Sequence, residues 1–198
     1  MTSNRHNRTA DDTVLDAARD CVLAVGVRRT TLTDIARRAG VSRMTLYRRW
    51  PDVRTIVADL MTREWIEVAV DVRPPDDGSP VLERLVNSLV AGVRTFRGHP
   101  LLRKIVEVDP ELLLPYMLDR RGASQDAFLE IFEAAIRAGH EDGTVRPGNA
   151  DLQARTVLLV VQSFALSGPT MTDADDPELN ADALDTELRH ILERTLAP

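Results

Sequence analysis

Apolar side chains recur at i, i+3, i+4 and i+7 along almost the whole chain, interrupted at glycine and proline, and no useful stretch alternates with period two. That pattern predicts an all-α fold. A first helix, about Asp11 to Val25, places Val14, Ala18, Cys21 and Val25 on one face and ends at Gly26. Leu32, Ile35, Ala36 and Ala39 mark a short second helix, with Arg37 and Arg38 outside its apolar face. Thr31 suits its N-cap, because a hydroxyl can accept an orphan backbone N–H, and Asp34 three residues on completes a capping box. Gly40 stops the helix, since glycine tolerates the left-handed conformation a C-terminus commonly needs. Ser42 restarts the chain as the next N-cap. The third helix, about Arg43 to Arg49, turns Leu46 inward and leaves Arg43, Met44, Thr45, Tyr47 and Arg48 outward. Pro51 ends it.

A fourth helix, about Asp52 to Asp71, is closed by Arg73-Pro-Pro-Asp-Asp-Gly78, the clearest linker in the chain. Being long and continuous with the short helices before it, it is suited to transmit movement. Beyond the linker, Pro80 to Arg97 carries Leu82, Leu85, Val86, Leu89, Val90, Val93 and Phe96 at helical spacing, and Gly98-His99-Pro100 breaks it. A short helix then reaches about Val108, and Asp109-Pro110 opens a segment from Glu111 to Leu118. Gly122 and Ala123 form a joint before Asp126 to Ala138. Ala150 to Leu166 contains Val157-Leu-Leu-Val-Val161, too apolar for a one-sided surface helix, so it belongs to a central core or a subunit interface. The last helix, about Ala181 to Leu196, carries Leu184, Leu188, Ile191, Leu192 and Leu196 in a stripe. About nine helices are expected in all.

Two short helices joined by a glycine turn and flanked by arginines have the form of a DNA-reading helix-turn-helix, whose second helix fits a major groove. Charge sharpens this. Residues 1–50 hold ten Arg against five Asp, a net of +5, so that −11 of the total of −6 falls on residues 51–198. A basic end on an acidic body suits oriented phosphate binding, although a charge run taken alone is equally a solvated helix face. Arg5 and Arg8, in a polar N-terminal arm, are further candidates for phosphate or minor-groove contact. The 24 arginines against a single lysine, Lys104, point to a GC-rich coding sequence more than to a mechanism.

Thr30-Thr31, Asp34-Ile35-Ala36, Ala39-Gly40-Val41-Ser42, Thr45-Leu46-Tyr47 and Trp50-Pro51 together closely resemble the TetR family of bacterial transcriptional regulators. The match covers roughly residues 12 to 57. Gly139-His-Glu-Asp-Gly-Thr-Val-Arg-Pro147 looks like the family's turn before its penultimate helix. The chain departs from the family pattern where Met44 replaces a small residue, where Arg48 and Arg49 replace tyrosine or histidine, and where Val53 replaces a lysine, with Arg54 one place later. The resemblance implies residues 1–54 as a three-helix DNA-binding domain and residues 55–198 as a helical effector-binding and dimerisation domain. Arg43, Met44, Thr45, Tyr47 and Arg48 are then the groove-facing residues; Thr31, Thr33, Ser42, Arg49 and Arg54 contact phosphates or position the reading head.

The same resemblance implies a homodimeric, ligand-responsive repressor on a palindromic double-stranded operator. Val157, Leu158, Val161, Leu184, Leu188, Ile191 and Leu192 are the candidate dimer interface. Two heads about 34 Å apart read more sequence than one. A mainly apolar effector pocket would draw on Trp65, Leu89, Val93, Phe96, Tyr116, Met117, Phe128, Phe132, Gln162 and Phe164. Each taken singly is more commonly an ordinary core residue. The effector expected is an unidentified small molecule, apolar or amphipathic.

Other chemistry finds little support. Cys21 is the single cysteine, so no intramolecular disulfide forms; its face predicts a small buried hydrophobe rather than a redox sensor. His6, His99, His140 and His190 show no zinc spacing, and there is neither a glycine-rich phosphate loop nor a nucleophile elbow. Glu107, Asp109 and Glu111 cluster where a helix start would place carboxylates anyway. No metal, cofactor or catalytic residue is predicted. With no signal-peptide pattern and no apolar run of 18 residues, a cytoplasmic protein without a membrane partner is expected. Two other readings stay open: a DNA-binding or architectural dimer without an effector, and a helical binding module or enzyme that retains the motif.

Overall fold

The computed structural model describes residues 10–75 and 77–198, so the predicted arm contacts of Arg5 and Arg8 lie outside the described residues. All regular structure among them is helical: α1 Ala10–Val25, α2 Leu32–Ala39, α3 Arg43–Arg49, α4 Val53–Asp71, α5 Val81–Gly98, α6 Pro100–Val108, α7 Leu114–Leu118, α8 Ala123–Glu141, α9 Ala150–Leu166 and α10 Ala181–Leu196. Two 3-10 turns, Pro110–Leu112 and Gly168–Thr170, complete the set. The segment expected from Glu111 to Leu118 divides. Pro115 has no N–H to continue a helix from Glu111, so the stretch 110–118 becomes a 3-10 turn followed by the five-residue α7. In the other direction, α8 outruns the expected Asp126–Ala138 at both ends.

The chain forms two compact units. The first comprises the described residues up to Glu64 together with Pro100–Gly122; the second comprises Trp65–His99 and Ala123–Pro198. In the first, Val22, Ile35, Leu46, Ile56, Leu60, Leu101 and Ile105 are fully buried. Cys21 is buried and free, and that burial raises its thiol pKa above the ordinary value, consistent with a packed side chain. A charged seam fixes α4 against α1. Arg63 lies 3.0 Å from Asp16 and 2.9 Å from the buried Glu64, which also meets Arg19 at 3.7 Å.

The carboxylate cluster at residues 107–111 differs from its expected role. Asp109 is completely buried and makes no side-chain cap for the 3-10 turn it precedes. It accepts instead the backbone N–H of Val27 at 2.7 Å. Buried polar groups require such partners, and the turn after α1 supplies one.

In the second unit Val86, Ile136, Ala154, Leu188 and Leu196 are fully buried at the centre of a core built by α5, α8, α9 and α10. The turn from Gly139 to Pro147 is held by close packing and by one carboxylate. A Cβ on Gly139 would stand 2.3 Å from Val145 Cγ2, so only glycine lets the turn approach α8. Asp142 accepts the Thr144 N–H and hydroxyl, and its other oxygen accepts the Val81 N–H at 3.0 Å. Thr144 Oγ1 accepts the Leu82 N–H at 3.1 Å. This turn therefore caps α5, whose own N-cap residue, Pro80, offers no side-chain acceptor.

Candidate nucleic-acid interface and body sites

The reading head is set by its helix ends. Thr31 Oγ1 accepts the Asp34 N–H at 3.1 Å and donates its hydroxyl to Asp34 Oδ2 at 2.6 Å. The expected capping box thus closes side chain to side chain. Gly40 adopts φ 68° and Val41 N–H reaches back to Ala36 O at 3.1 Å, the 6→1 bond of a left-handed helix stop. Ser42 Oγ accepts the Thr45 N–H at 3.1 Å and starts α3. Leu46 and Trp50 anchor α3 from below. The Trp50 backbone N–H closes on Leu46 O at 2.8 Å, and its indole Nε1 donates to Asp59 Oδ2 at 2.8 Å.

Above those anchors Arg43, Met44, Thr45, Tyr47, Arg48 and Arg49 are all exposed, Met44 by 80 %. The arginines divide into two sets. Arg37 pairs with Asp34 at 2.9 Å and Arg38 with Asp20 at 3.0 Å. Arg49 lies 3.4 Å from Asp11 and 4.0 Å from Asp59, with its guanidinium 5.2 Å from the Trp50 ring centroid. Among the described residues no carboxylate forms an ion pair with Arg43, Arg48 or Arg54. Thr31 and Ser42 spend their hydroxyls on helix caps, Thr33 is half-buried and Arg54 exposed. Asp52, exposed at the start of α4, accepts the Thr55 N–H at 2.8 Å, and that bond lowers its pKa.

The body residues fall into separate places. In the second unit Trp65 is buried against Phe96, with centroids 4.5 Å apart, and meets the His99 ring edge-on at 5.1 Å. Leu89, Val93 and Phe132 belong to the buried core, with Phe128 and Phe164 packed on it; Phe128 and Phe132 stack at 6.0 Å. Gln162 Oε1 accepts from Gln125 Nε2 at 2.8 Å, a polar pair whose second member the sequence pattern did not single out. Tyr116 and Met117 lie on α7 in the first unit, Tyr116 against Gly122 and 5.4 Å from the Arg120 guanidinium. A cleft of about 410 Å³ opens elsewhere in the second unit, lined by Arg94, Arg97, Pro169, Thr172, Asp182 and Asp185. Its charges are internally matched: buried Asp185 pairs with Arg94 at 2.9 Å and with Arg97.

Val157, Leu158, Val161, Leu188 and Leu192 are buried within the chain itself, and Leu184 is half-buried. Packing inside the second unit therefore accounts for the unbroken apolar run of α9. The large apolar side chains left exposed on these two helices are Leu152 and Leu159 on α9 and Ile191 on α10. Residues 152, 156, 159 and 163 share one exposed face.

A head of three helices, the last two joined by a left-handed glycine turn and the last presenting Arg43 and Arg48, which no carboxylate pairs among the described residues, has the form of a helix-turn-helix DNA-binding unit. The family model for bacterial regulatory proteins of the tetR family matches residues 14–60. An uncharacterized HTH-type transcriptional regulator of Mycobacterium tuberculosis is 41 % identical over 179 residues, 90 % of each chain. The chain belongs to the TetR family of helix-turn-helix transcriptional regulators. Among solved structures, the repressor AlkX from Dietzia sp., implicated in biodegradation of n-alkanes, superposes with TM-score 0.64 at 21 % identity, covering 94 % of this chain and 96 % of that one. The regulator FadR from Bacillus subtilis, in complex with stearoyl-CoA, gives 0.62 at 16 % identity, covering 92 % and 97 %. At these identities the two structures share the fold. Among the described residues no helix is long and apolar enough to cross a membrane.

Proposed function

We propose that the protein is a ligand-responsive homodimeric repressor that binds a palindromic operator. The observation that carries the DNA-reading part is the outer face of α3: Arg43, Met44, Thr45, Tyr47 and Arg48 exposed over the buried anchors Leu46 and Trp50. Arg43 and Arg48, with no carboxylate partner among the described residues, carry base preference through guanine, and Met44 through thymine methyl groups. Arg54, with the capped ends at Thr31 and Ser42 and with Thr33, holds register on phosphates. Arg49, engaged by Asp11 and Trp50, orients α3. The division of labour is residues 1–54 for DNA and residues 55–198 for effector and dimerisation. The dimer face would add exposed Leu152 and Leu159 to Ile191 and Leu184.

The decisive experiment is selection of duplexes from a random library by the full-length protein, followed by sedimentation with and without DNA. Recovery of an inverted repeat bound by a dimer supports the proposal; an asymmetric site bound by a monomer refutes it. Arg43→Ala should cost about 1–3 kcal/mol on the selected duplex and less on unselected DNA.

The effector reading rests on the apolar cluster around Trp65, Phe96, Phe128 and Phe132 and on the stearoyl-CoA complex of the FadR neighbour. Stearoyl-CoA is accordingly the first probe: release of the selected duplex supports an amphipathic effector. Any effector weakens DNA binding only by its differential affinity for the two states. One observation favours an effector-independent DNA-binding dimer instead: Leu89, Val93 and Phe132 are already packed in the core.

A further inference from the structure

Resting on the assignment of residues 1–54 to DNA reading, we infer that Asp109 is a positioning residue for that reading, acting on the α1–α2 turn. The residue comes from the end of α6, more than eighty positions along the chain from the turn it holds. Its carboxylate is completely buried, Oδ2 accepting the Val27 N–H at 2.7 Å and Oδ1 facing the Arg28 N–H at 3.4 Å. The Arg28 guanidinium closes over it, Nε at 3.6 Å from Oδ1, and reaches on to Glu111.

The turn is built for that carboxylate. Gly26 takes φ +82°, and a Cβ on it would lie 2.9 Å from both Asp109 Oδ2 and Val108 Cγ1. Glycine is required here twice over, for its conformation and for the approach of Asp109. From the same turn, buried Thr30 donates its hydroxyl to Gly26 O at 2.7 Å, and the next residue, Thr31, caps α2. The connected series is short: Asp109 fixes the Val27 N–H, Gly26 and Thr30 close the turn, Thr31 sets the first residue of α2, and α2 leads through Gly40 into α3. The direction in which α3 leaves the head therefore depends on a carboxylate supplied by α6. Charge alone predicts the opposite of what positioning predicts. An acidic group in a DNA-binding unit repels phosphate, so removing it by electrostatics alone would tighten binding to every duplex.

The test uses the full-length protein, a duplex selected from a random library by the unaltered protein, and an unselected duplex of equal length. Asp109→Asn keeps the size of the side chain and one acceptor but loses the charge; Asp109→Ala loses both. Positioning predicts that Asp109→Asn weakens binding to the selected duplex by about tenfold, the scale of a hydrogen bond to a charged group, while the unselected duplex binds equally well or slightly tighter. Asp109→Ala should lose more on the selected duplex in the same pattern. Equal loss on both duplexes, or a reduced active fraction with unchanged affinities, reduces Asp109 to a fold-stabilising group and overturns the inference. Tightening on both overturns it as well. Should either substitution prevent folding, hydrogen exchange on the unaltered protein decides. The amides of Val27 and Thr30 must open together with those of Ile105 and Asp109, and independent opening of the turn refutes the coupling.

Discussion

Replacing Gly40 with alanine isolates the energetic cost of the helix-turn-helix joint from any cost of packing. The residue holds φ 68°, and a Cβ placed on it meets no atom within 4 Å. Only the backbone conformation is then at issue. For an L-residue other than Asn or Asp that conformation costs about 1–2 kcal/mol. Alanine also lowers the entropy of the unfolded chain, which returns about 0.4–1 kcal/mol. The net loss for Gly40→Ala should be about 1 kcal/mol, and for Gly40→Asn, whose side chain tolerates the left-handed region, about half of that or less. In a chain of this size 1 kcal/mol shifts Tm by about 2–4 °C. Thermal unfolding followed by circular dichroism resolves that difference. Binding to a selected duplex should weaken by no more than about thirtyfold, because DNA cannot lose more than the strain of up to about 2 kcal/mol that the joint releases. The reasoning fails if asparagine costs as much as alanine. A loss above about 3 kcal/mol refutes it too, since packing that the open space at Gly40 excludes would then be at work.

Gly139→Ala makes the opposite case, because its Cβ would stand 2.3 Å from Val145 Cγ2. The clash should cost about 1–3 kcal/mol, and Val145→Ala in the same chain should recover part of it in denaturant titration; strict additivity of the two losses would count against the close approach. The acid limb of stability should report Asp142, whose pKa is held below the ordinary aspartate value, first by the Thr144 hydroxyl and then by backbone N–H groups of Thr144 and Val81. A carboxylate with a depressed folded pKa contributes fully above its unfolded pKa, about 3.9, and loses that contribution as pH falls through the lower folded value. Asp142→Asn should therefore lower stability at neutral pH and narrow the difference from the parent below about pH 4; a constant difference across the whole pH range would contradict this assignment.

The chemistry of the helix ends made the head legible in sequence. Thr31, Gly40, Ser42 and Pro51 act on their immediate neighbours, and each does in the structure what its local spacing implies. Local rules failed where a distant segment supplied the partner. Asp109 sits before a proline among carboxylates and so has the pattern of a helix start, yet its partner is the Val27 N–H, which periodicity cannot place beside it. Asp142 is similar, serving the start of α5 from a turn sixty residues on. For the run Val157–Val161, periodicity fits core and interface alike because both bury apolar surface, and the family resemblance favours a dimer interface. Packing by α5, α8 and α10 resolves most of it as core, leaving Leu159 outside. Gln125 carried a signal only in relation to Gln162, and pairs across helices have no period to reveal them.

Arginine count is a poor guide to how strongly this head holds phosphate, because several of the guanidinium groups are already paired. If Arg43, Arg48 and Arg54 alone met phosphate, the log affinity for unselected DNA would fall by about 0.9 per log unit of salt for each contact. Arg37, Arg38 and Arg49 would add to that slope only by leaving Asp34, Asp20 and Asp11. Exposed pairs of this kind are worth about 0–1 kcal/mol, so phosphate can compete for them, but at a loss in net affinity. Asp20→Asn therefore frees Arg38 without adding a cation. It should steepen the slope by close to one contact per head and strengthen unselected DNA binding at low salt. Asp11→Asn should do less, because Arg49 keeps Asp59 at 4.0 Å and the face of Trp50. Slopes measured from 50 to 300 mM salt decide between the two accounts. If both variants bind more tightly at every salt concentration with the parent's slope, the aspartates act only as repulsive charges, and the pairing seen in the structure does not hold the arginines back from DNA.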